Sequence, residues 1–149
     1  MSLEFLTHDV GYTAQVAQTE DFINSGVYAV LVDAAHTPDR AADVTYSDIS
    51  ANECVDADYS RQALASKTIA LASTSVRLSC GKITFTASGD VSGQYVYLLY
   101  GTAASPQAAD VILGHVDLTG SGNASSIGAE FSYTPSPSGL LELPRSVAA

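Results

Sequence analysis

The sequence predicts an all-β fold: a single-domain antiparallel β-sandwich or barrel of about seven to nine short strands, with little helix. Three observations predict it. Short apolar runs recur at roughly ten-residue spacing, separated by Gly, Pro, Ser and Asp, and helical periodicity is nearly absent. The run QYVYLLY at residues 94–100 is apolar on both faces, as a strand in the middle of a sheet must be. The composition, with 8 Tyr, 4 Phe, no Trp and abundant Ala, implies a thin core of Val, Ile, Leu and Tyr, which suits sheet-on-sheet packing. A chain of 149 residues fits one domain, and at that size about 68–70% of the unfolded surface can be buried.

Residues 1–21 read as an N-terminal arm or edge strand, because Leu3, Phe5, Val10 and Val16 are scattered among polar residues. Thr19 with Glu20 and Asp21 can cap a short turn before Phe22 and Ile23, and Gly26 ends that segment. The β domain itself spans residues 22–143. Residues 27–32, VYAVLV, predict a strand buried on both faces, ending at Asp33. A loop follows over residues 34–44, with Pro38 and Asp39 as its turn nucleus. Ser47 or Asp48 can then cap a one-turn helix over residues 48–52, and the chain becomes extended again at Tyr59.

Residues 67–72 predict a short strand with Ile69 and Leu71 on its inner face. In residues 76–86 the apolar phase changes: Val76, Leu78 and Cys80 share one parity, Ile83 and Phe85 the other. A bulge or a break between two strands is therefore expected at Gly81. Residues 94–100 and 111–118 read as an antiparallel pair joined by a Gly/Ala/Ser/Pro loop. In the second of these, Ile112, Val116 and Leu118 should point one way and His115 and Asp117 the other. Residues 119–126 look like a Gly/Ser turn, residues 129–133 a strand with Phe131 inward and Glu130 outward, and residues 141–143 a last strand before a tail at 144–149.

Charge excludes some functions. The net charge of −10 offers no basic footprint for phosphates, so neither nucleic acid nor an anionic membrane surface is an expected partner. No apolar run reaches the ~18 residues that a membrane helix needs. The N-terminus MSLEFLTHDV lacks the basic and apolar regions of a secretion signal, which predicts synthesis and retention in a cytoplasm. For the same reason Asn123-Ala124-Ser125 carries no weight as a glycosylation acceptor.

Catalytic residues are not expected. His8, His36 and His115 are far apart, no serine sits in a nucleophile elbow, and His115 beside Asp117 reads as part of a solvated or interface face. Cys54 and Cys80 lack the spacing of a zinc site and read as two unpaired thiols, with a single disulfide as the alternative. Acids accumulate from Asp33 through Asp39, Asp43, Asp48, Glu53, Asp56 and Asp58. Asp56 and Asp58 resemble a fragment of a calcium loop, but the bidentate Glu that closes such a loop is missing, so no metal is expected. Tyr95, Tyr97 and Tyr100 are expected in a core strand, with hydroxyls reaching its rim.

Taken in order, Leu31-Val32-Asp33, Thr37-Pro38-Asp39, Asp48-Ile49, Asn52-Glu53, Tyr59-Ser60-Arg61 and Lys67-Thr68-Ile69 resemble a family of small tailed-bacteriophage virion proteins. Ile83–Phe85 is similar to that family's next strand, with Phe85 where Trp is usual; Tyr97–Tyr100 and Gly114–Leu118 are similar to its later strands. The resemblance covers about residues 22–143. One departure is Asp56-Ala57-Asp58, where the family has a Gly-containing turn. The resemblance implies a non-enzymatic structural protein without a cofactor, located in the virion and assembled in the host cytoplasm. It implies a capsid decoration (cement) protein whose partners are the major capsid protein and copies of itself, as a homotrimer. The alternative is a tail-fibre or baseplate component that adheres to host glycans; a small hydrolase is a remote third.

Overall fold

A computed structural model describes residues 5–8, 25–71, 75–136 and 141–144. The expected turn around Thr19, the positions Val10 and Val16, and residues 145–149 lie outside the described residues. The architecture is all-β, with strands in three antiparallel groups and no closed barrel. A five-stranded sheet runs in the order β1 (Phe5–Thr7), β8 (Ile112–Asp117), β7 (Tyr95–Tyr100), β2 (Val27–Val32), β3 (Gln62–Ala63). A three-stranded sheet runs β10 (Leu141–Pro144), β5 (Ser75–Ser79), β4 (Thr68–Leu71). A long ribbon pairs β6 (Ile83–Gly93) with β9 (Ala124–Tyr133).

The central strands of the five-stranded sheet are buried on both faces, which explains why β2 and β7 are apolar at nearly every position. One face, carrying Ala29, Leu31, Val96, Leu98, Leu113 and Val116, packs against Leu78, Ile83, Phe85, Val91, Phe131 and Tyr133 of the other two groups. The opposite face carries Tyr28, Val30, Val32, Tyr97, Leu99 and Ile112, and among the described residues no sheet covers it. Its cover is irregular chain: residues 33–53, which bring Ile49 down onto the sheet, and the β7–β8 loop. The two covering segments are zipped together, with Tyr46 N donating to Asp110 O (2.9 Å), Ser47 N to Ala108 O (3.1 Å) and Ile112 N to Val44 O (3.0 Å).

Several expectations hold. The strand at residues 27–32 is fully buried, β7 sits between two neighbours, and β7 and β8 pair antiparallel across their loop. The parity change near Gly81 is a break between β5 and β6, and Gly81 N is held by Ala65 O at 2.9 Å.

Others are corrected. The helix α1 (Tyr46–Ile49) starts earlier than expected and is capped by Thr45, and a 3-10 turn (Ser50–Asn52) continues it. Asp48 does not cap; from inside the first turn its Oδ2 accepts the N–H groups of Val44 and Thr45, both at 2.9 Å. Ile112 is not on the side of Val116. A bulge at Leu113 shifts the β7–β8 register, so Ile112 faces the cover while Leu113 and Val116 face the main core. Ile69 is 50% exposed rather than inward. The strand containing Phe131 begins at Ala124, because Ala124, Ser125 and Ser126, the last residues of the expected 119–126 turn, pair with Gly93, Ser92 and Val91 of β6. Phe131 does point inward and Glu130 outward.

Candidate functional site

Several of the polar residues that the sequence singled out meet at two sites where the irregular cover lies on the sheet. The first is centred on Glu53. The strand end Leu31–Asp33 lies against residues 52–54: Asp33 N donates to Asn52 O (2.9 Å), Cys54 N donates to Leu31 O (2.8 Å), and Val32 bridges Glu53. This places the Glu53 carboxylate, with its side chain 7% exposed, among three donors. Tyr46 OH donates to Oε2 at 2.5 Å, Tyr59 OH to Oε1 at 2.6 Å, and Arg61 Nη2 to Oε2 at 3.1 Å. Arg61 Nε lies 2.8 Å from Oε1, but its N–H is not aligned on that oxygen, so this contact is one of charge rather than a directed hydrogen bond. Tyr59 OH also accepts from Leu31 N at 3.2 Å, tying the carboxylate back to the central strand. Burial, and then the Glu53 carboxylate, push the Tyr59 and Tyr46 hydroxyls above their ordinary range, so both remain donors. The cluster forms one wall of an open groove of about 730 Å³, completed by Ser50, Val55, Asp56, Ala103 and Ala104.

The second site brings together all 3 histidines of the chain. Asp43 is its hub. Its Oδ2 accepts from Tyr97 OH (2.9 Å) and from Asp39 N (3.0 Å) and pairs with His36 Nε2 (2.9 Å). Its backbone carbonyl accepts from His8 Nδ1 at 2.9 Å, and His8 Nε2 meets His115 Nδ1 at 2.7 Å. His115 stacks on Tyr97 with ring centroids 5.2 Å apart. Burial alone would raise the Asp43 carboxyl; the Asp39 N–H, His36 and Tyr97 outweigh it and hold the group below its usual range. For His115 burial dominates, helped by His8, and its pKa falls to about 4.

His115 is therefore not on a solvated or interface face. It is 4% exposed, because residues 33–45 fold over the side of the sheet that His115 shares with Tyr97. Sequence spacing had no means of joining His8, His36 and His115; the one available signal was that His115 shares parity with Asp117 on a strand next to a Tyr-rich one.

The acids Asp56 and Asp58, read as a calcium-loop fragment, are occupied by backbone donors. Asp56 Oδ2 accepts from Ser92 N and Asp58 Oδ2 from Asp90 N, both at 2.8 Å. They staple the segment to β6. Among the described residues Ser66 is the single non-glycine with positive φ, so Asp56-Ala57-Asp58 turns without the left-handed conformation that a glycine would offer. Among the described residues no group of three or more His, Cys, Asp or Glu side chains is placed to hold a metal ion, and no helix is long and apolar enough to cross a membrane. Cys54 and Cys80 are free thiols, and Cys54 Sγ donates to Asp56 Oδ2 at 3.3 Å. Tyr97 and Tyr100 are buried and Tyr95 is half-buried.

Chemically, both sites join separate pieces of chain: a carboxylate surrounded by donors in one, imidazoles bonded to a carboxylate, a carbonyl and each other in the second. Fold and sites together define an antiparallel β-sandwich whose central sheet is covered by a polar-pinned loop. Comparison with known protein families, curated proteins and solved structures finds no match to this chain.

Proposed function

We propose that the protein is a non-enzymatic structural component of a tailed-phage particle, specifically a head decoration protein that binds the capsid lattice and reinforces it. The observation that carries this reading is where the motif residues go. Of the residues that carry the resemblance to phage virion proteins, Leu31–Asp33, Asn52, Glu53, Tyr59 and Arg61 converge on one knot that pins residues 33–53 over the sheet. Asp48 serves the same segment by holding the start of α1. Residues shared with an enzyme family would be expected around a reacting centre; these are used up in shaping a surface.

That surface offers contacts to the major capsid protein and to further copies of the chain, in a homotrimer. On that surface Val55, lining the groove, is 94% exposed, and away from it, on β9, Ile127 is 84% exposed; each gains by being covered. The adhesion alternative calls for exposed aromatic rings. The large apolar side chains exposed among the described residues are Val44, Val55, Ile69 and Ile127, all aliphatic, which favours the decoration reading. Mass spectrometry of purified tail-less heads tests it: the protein should be present at a copy number comparable to the capsid protein. Absence from heads, or a few copies per particle confined to tails, overturns it.

A further inference from the structure

The contact between His8 and His115 has a protonation rule built into its geometry. His8 Nδ1 faces the Asp43 carbonyl oxygen, which can only accept, so Nδ1 carries a hydrogen. The 2.7 Å between His8 Nε2 and His115 Nδ1 leaves room for a single hydrogen between the rings. With both rings neutral, His115 Nδ1–H donates to His8 Nε2. One added proton is tolerated: His8 becomes the imidazolium and donates from both nitrogens, while His115 accepts at Nδ1 and carries its own hydrogen on Nε2. A second added proton puts N–H against N–H, and the rings must separate.

We propose that this imidazole pair is an acid-sensitive latch, which accommodates one proton but not two and releases β1 from the edge of the sheet when the second arrives.

The strand that the latch holds is short. Among the described residues β1 pairs in its sheet with β8 alone, at Phe5–Val116, Leu6–His115 and Thr7–Gly114, followed by His8 N donating to Leu113 O at 3.0 Å. His8 is 0% exposed, so its side chain is a main anchor of this strand to the cover. Among the described residues, the groups around the pair come from the covering loop, β7 and β8. From the covering loop, His36 and the Asp43 carboxylate face it, with the carboxylate already bonded to His36, Tyr97 and Asp39 N. Arg40, on the same loop, disfavours a further positive charge. From β7, Tyr97 and Tyr95 contact the His115 ring at 5.2 and 6.0 Å. From β8, Asp117 favours protonation, but its Oδ1 is taken by Gln94, Thr119 and Gly120. Burial and the neighbouring His8 outweigh the two carboxylates, and His115 accepts its proton only near pH 4. The latch does not depend on the proposed place of the protein in a virion.

Amide hydrogen exchange on the full chain tests the latch, with rates corrected for the intrinsic pH dependence of exchange. Between pH 6 and 4 the β1 amides and His8 N should lose at least about tenfold protection while β2 and β7 stay protected. His115→Asn keeps a group at the Nδ1 position that donates or accepts at any pH, and it should abolish this selective loss. His36→Asn should leave the loss in place. If His115→Asn does not fold, imidazole 15N shifts of the wild-type protein decide: the His8–His115 pair should titrate in two separated steps, the lower coinciding with loss of β1 protection. Protection of β1 that persists to pH 4, a loss unchanged in His115→Asn, or a loss abolished by His36→Asn overturns the proposal.

Discussion

Replacing Glu53 with Gln removes the charge at the centre of the first knot while keeping its volume. The Gln carbonyl can still accept from Tyr59, but its amide hydrogens then face Tyr46 OH and Arg61 Nη2, groups that now donate at 2.5 and 3.1 Å. A charge-assisted hydrogen bond contributes roughly 1.5–3 kcal/mol, and breaking a fully buried ion pair costs about 3–5 kcal/mol. Arg61 keeps a side-chain exposure of 35%, so water screens part of its lost attraction. The expected destabilisation is therefore near the lower limit, about 3 kcal/mol, which at this chain length lowers Tm by about 6–12 °C. Urea unfolding followed by far-UV circular dichroism measures it; with no Trp in the chain, tyrosine emission is the available fluorescence probe. Arg61→Met should itself destabilise, and the double variant Glu53→Gln/Arg61→Met should lose at least about 1 kcal/mol less than the sum of the single changes. A loss below about 1 kcal/mol for Glu53→Gln, or strict additivity in the double variant, would refute the view that this knot holds the cover.

Further expectations concern packing, thiols and pH. A Cβ at Gly93 would sit 2.4 Å from Leu31 Cγ, so Gly93→Ala should destabilise by about 2–3 kcal/mol, and in urea unfolding the double variant with Leu31→Ala, itself costly, should lose less than the sum of the two single changes. Burial pushes both Cys54 and Cys80 up to about 11 from an ordinary 9.0, so near pH 8 the native thiols should react with a thiol reagent ~100-fold more slowly than in the denatured chain. Asp48→Ala removes the acceptor for two N–H groups at the start of α1 and should cost about 1 kcal/mol. His115 is held neutral in the fold, so the denatured chain binds the extra proton. Stability should be complete above pH 6.5, fall as pH drops from 6.5 towards about 4, and lose up to about 3 kcal/mol from this group. His115→Asn should flatten that part of the pH–stability curve.

The main sheet was readable in the sequence because its signals are local. Strands β2 and β7 are continuous apolar runs, and the phase change across Gly81 marks a real break. What was misread depends on register or on distant chain. Ile112 changes face because one bulged residue, Leu113, inverts the parity on which the reading relied. Residues 124–126 look like the end of a Gly/Ser turn by composition, yet β6 pairs with them. Ile69 looked like a core residue because alternation shows which residues share a side without showing whether that side is covered. The candidate sites were less readable still. Glu53, Tyr59 and Arg61 were visible only as matches to a family pattern, and the joining of His8 to His115 spans 107 positions.

The two faces of the central sheet are held in different ways, and that difference predicts how the protein loosens. The main core is sealed by apolar side chains from β5, β6 and β9, which respond weakly to pH or to the loss of one polar group. On the covered face, Ile49 is the residue that residues 33–53 bury completely in the apolar cluster, and the segment is otherwise held by Glu53 at one end and Asp43 at the other. Disabling either hub should therefore raise exchange across residues 33–53 before it unfolds the sandwich. In Glu53→Gln, amides of residues 44–54 should exchange at a lower free energy than those of β7. In Asp43→Asn the loosening should centre on residues 36–45 instead, because Asp39 N, His36 and Tyr97 all depend on the Asp43 carboxylate. If either variant instead exchanges uniformly over β2, β7 and the cover, the loop and sheet form one cooperative unit, and the cover is not separately pinned.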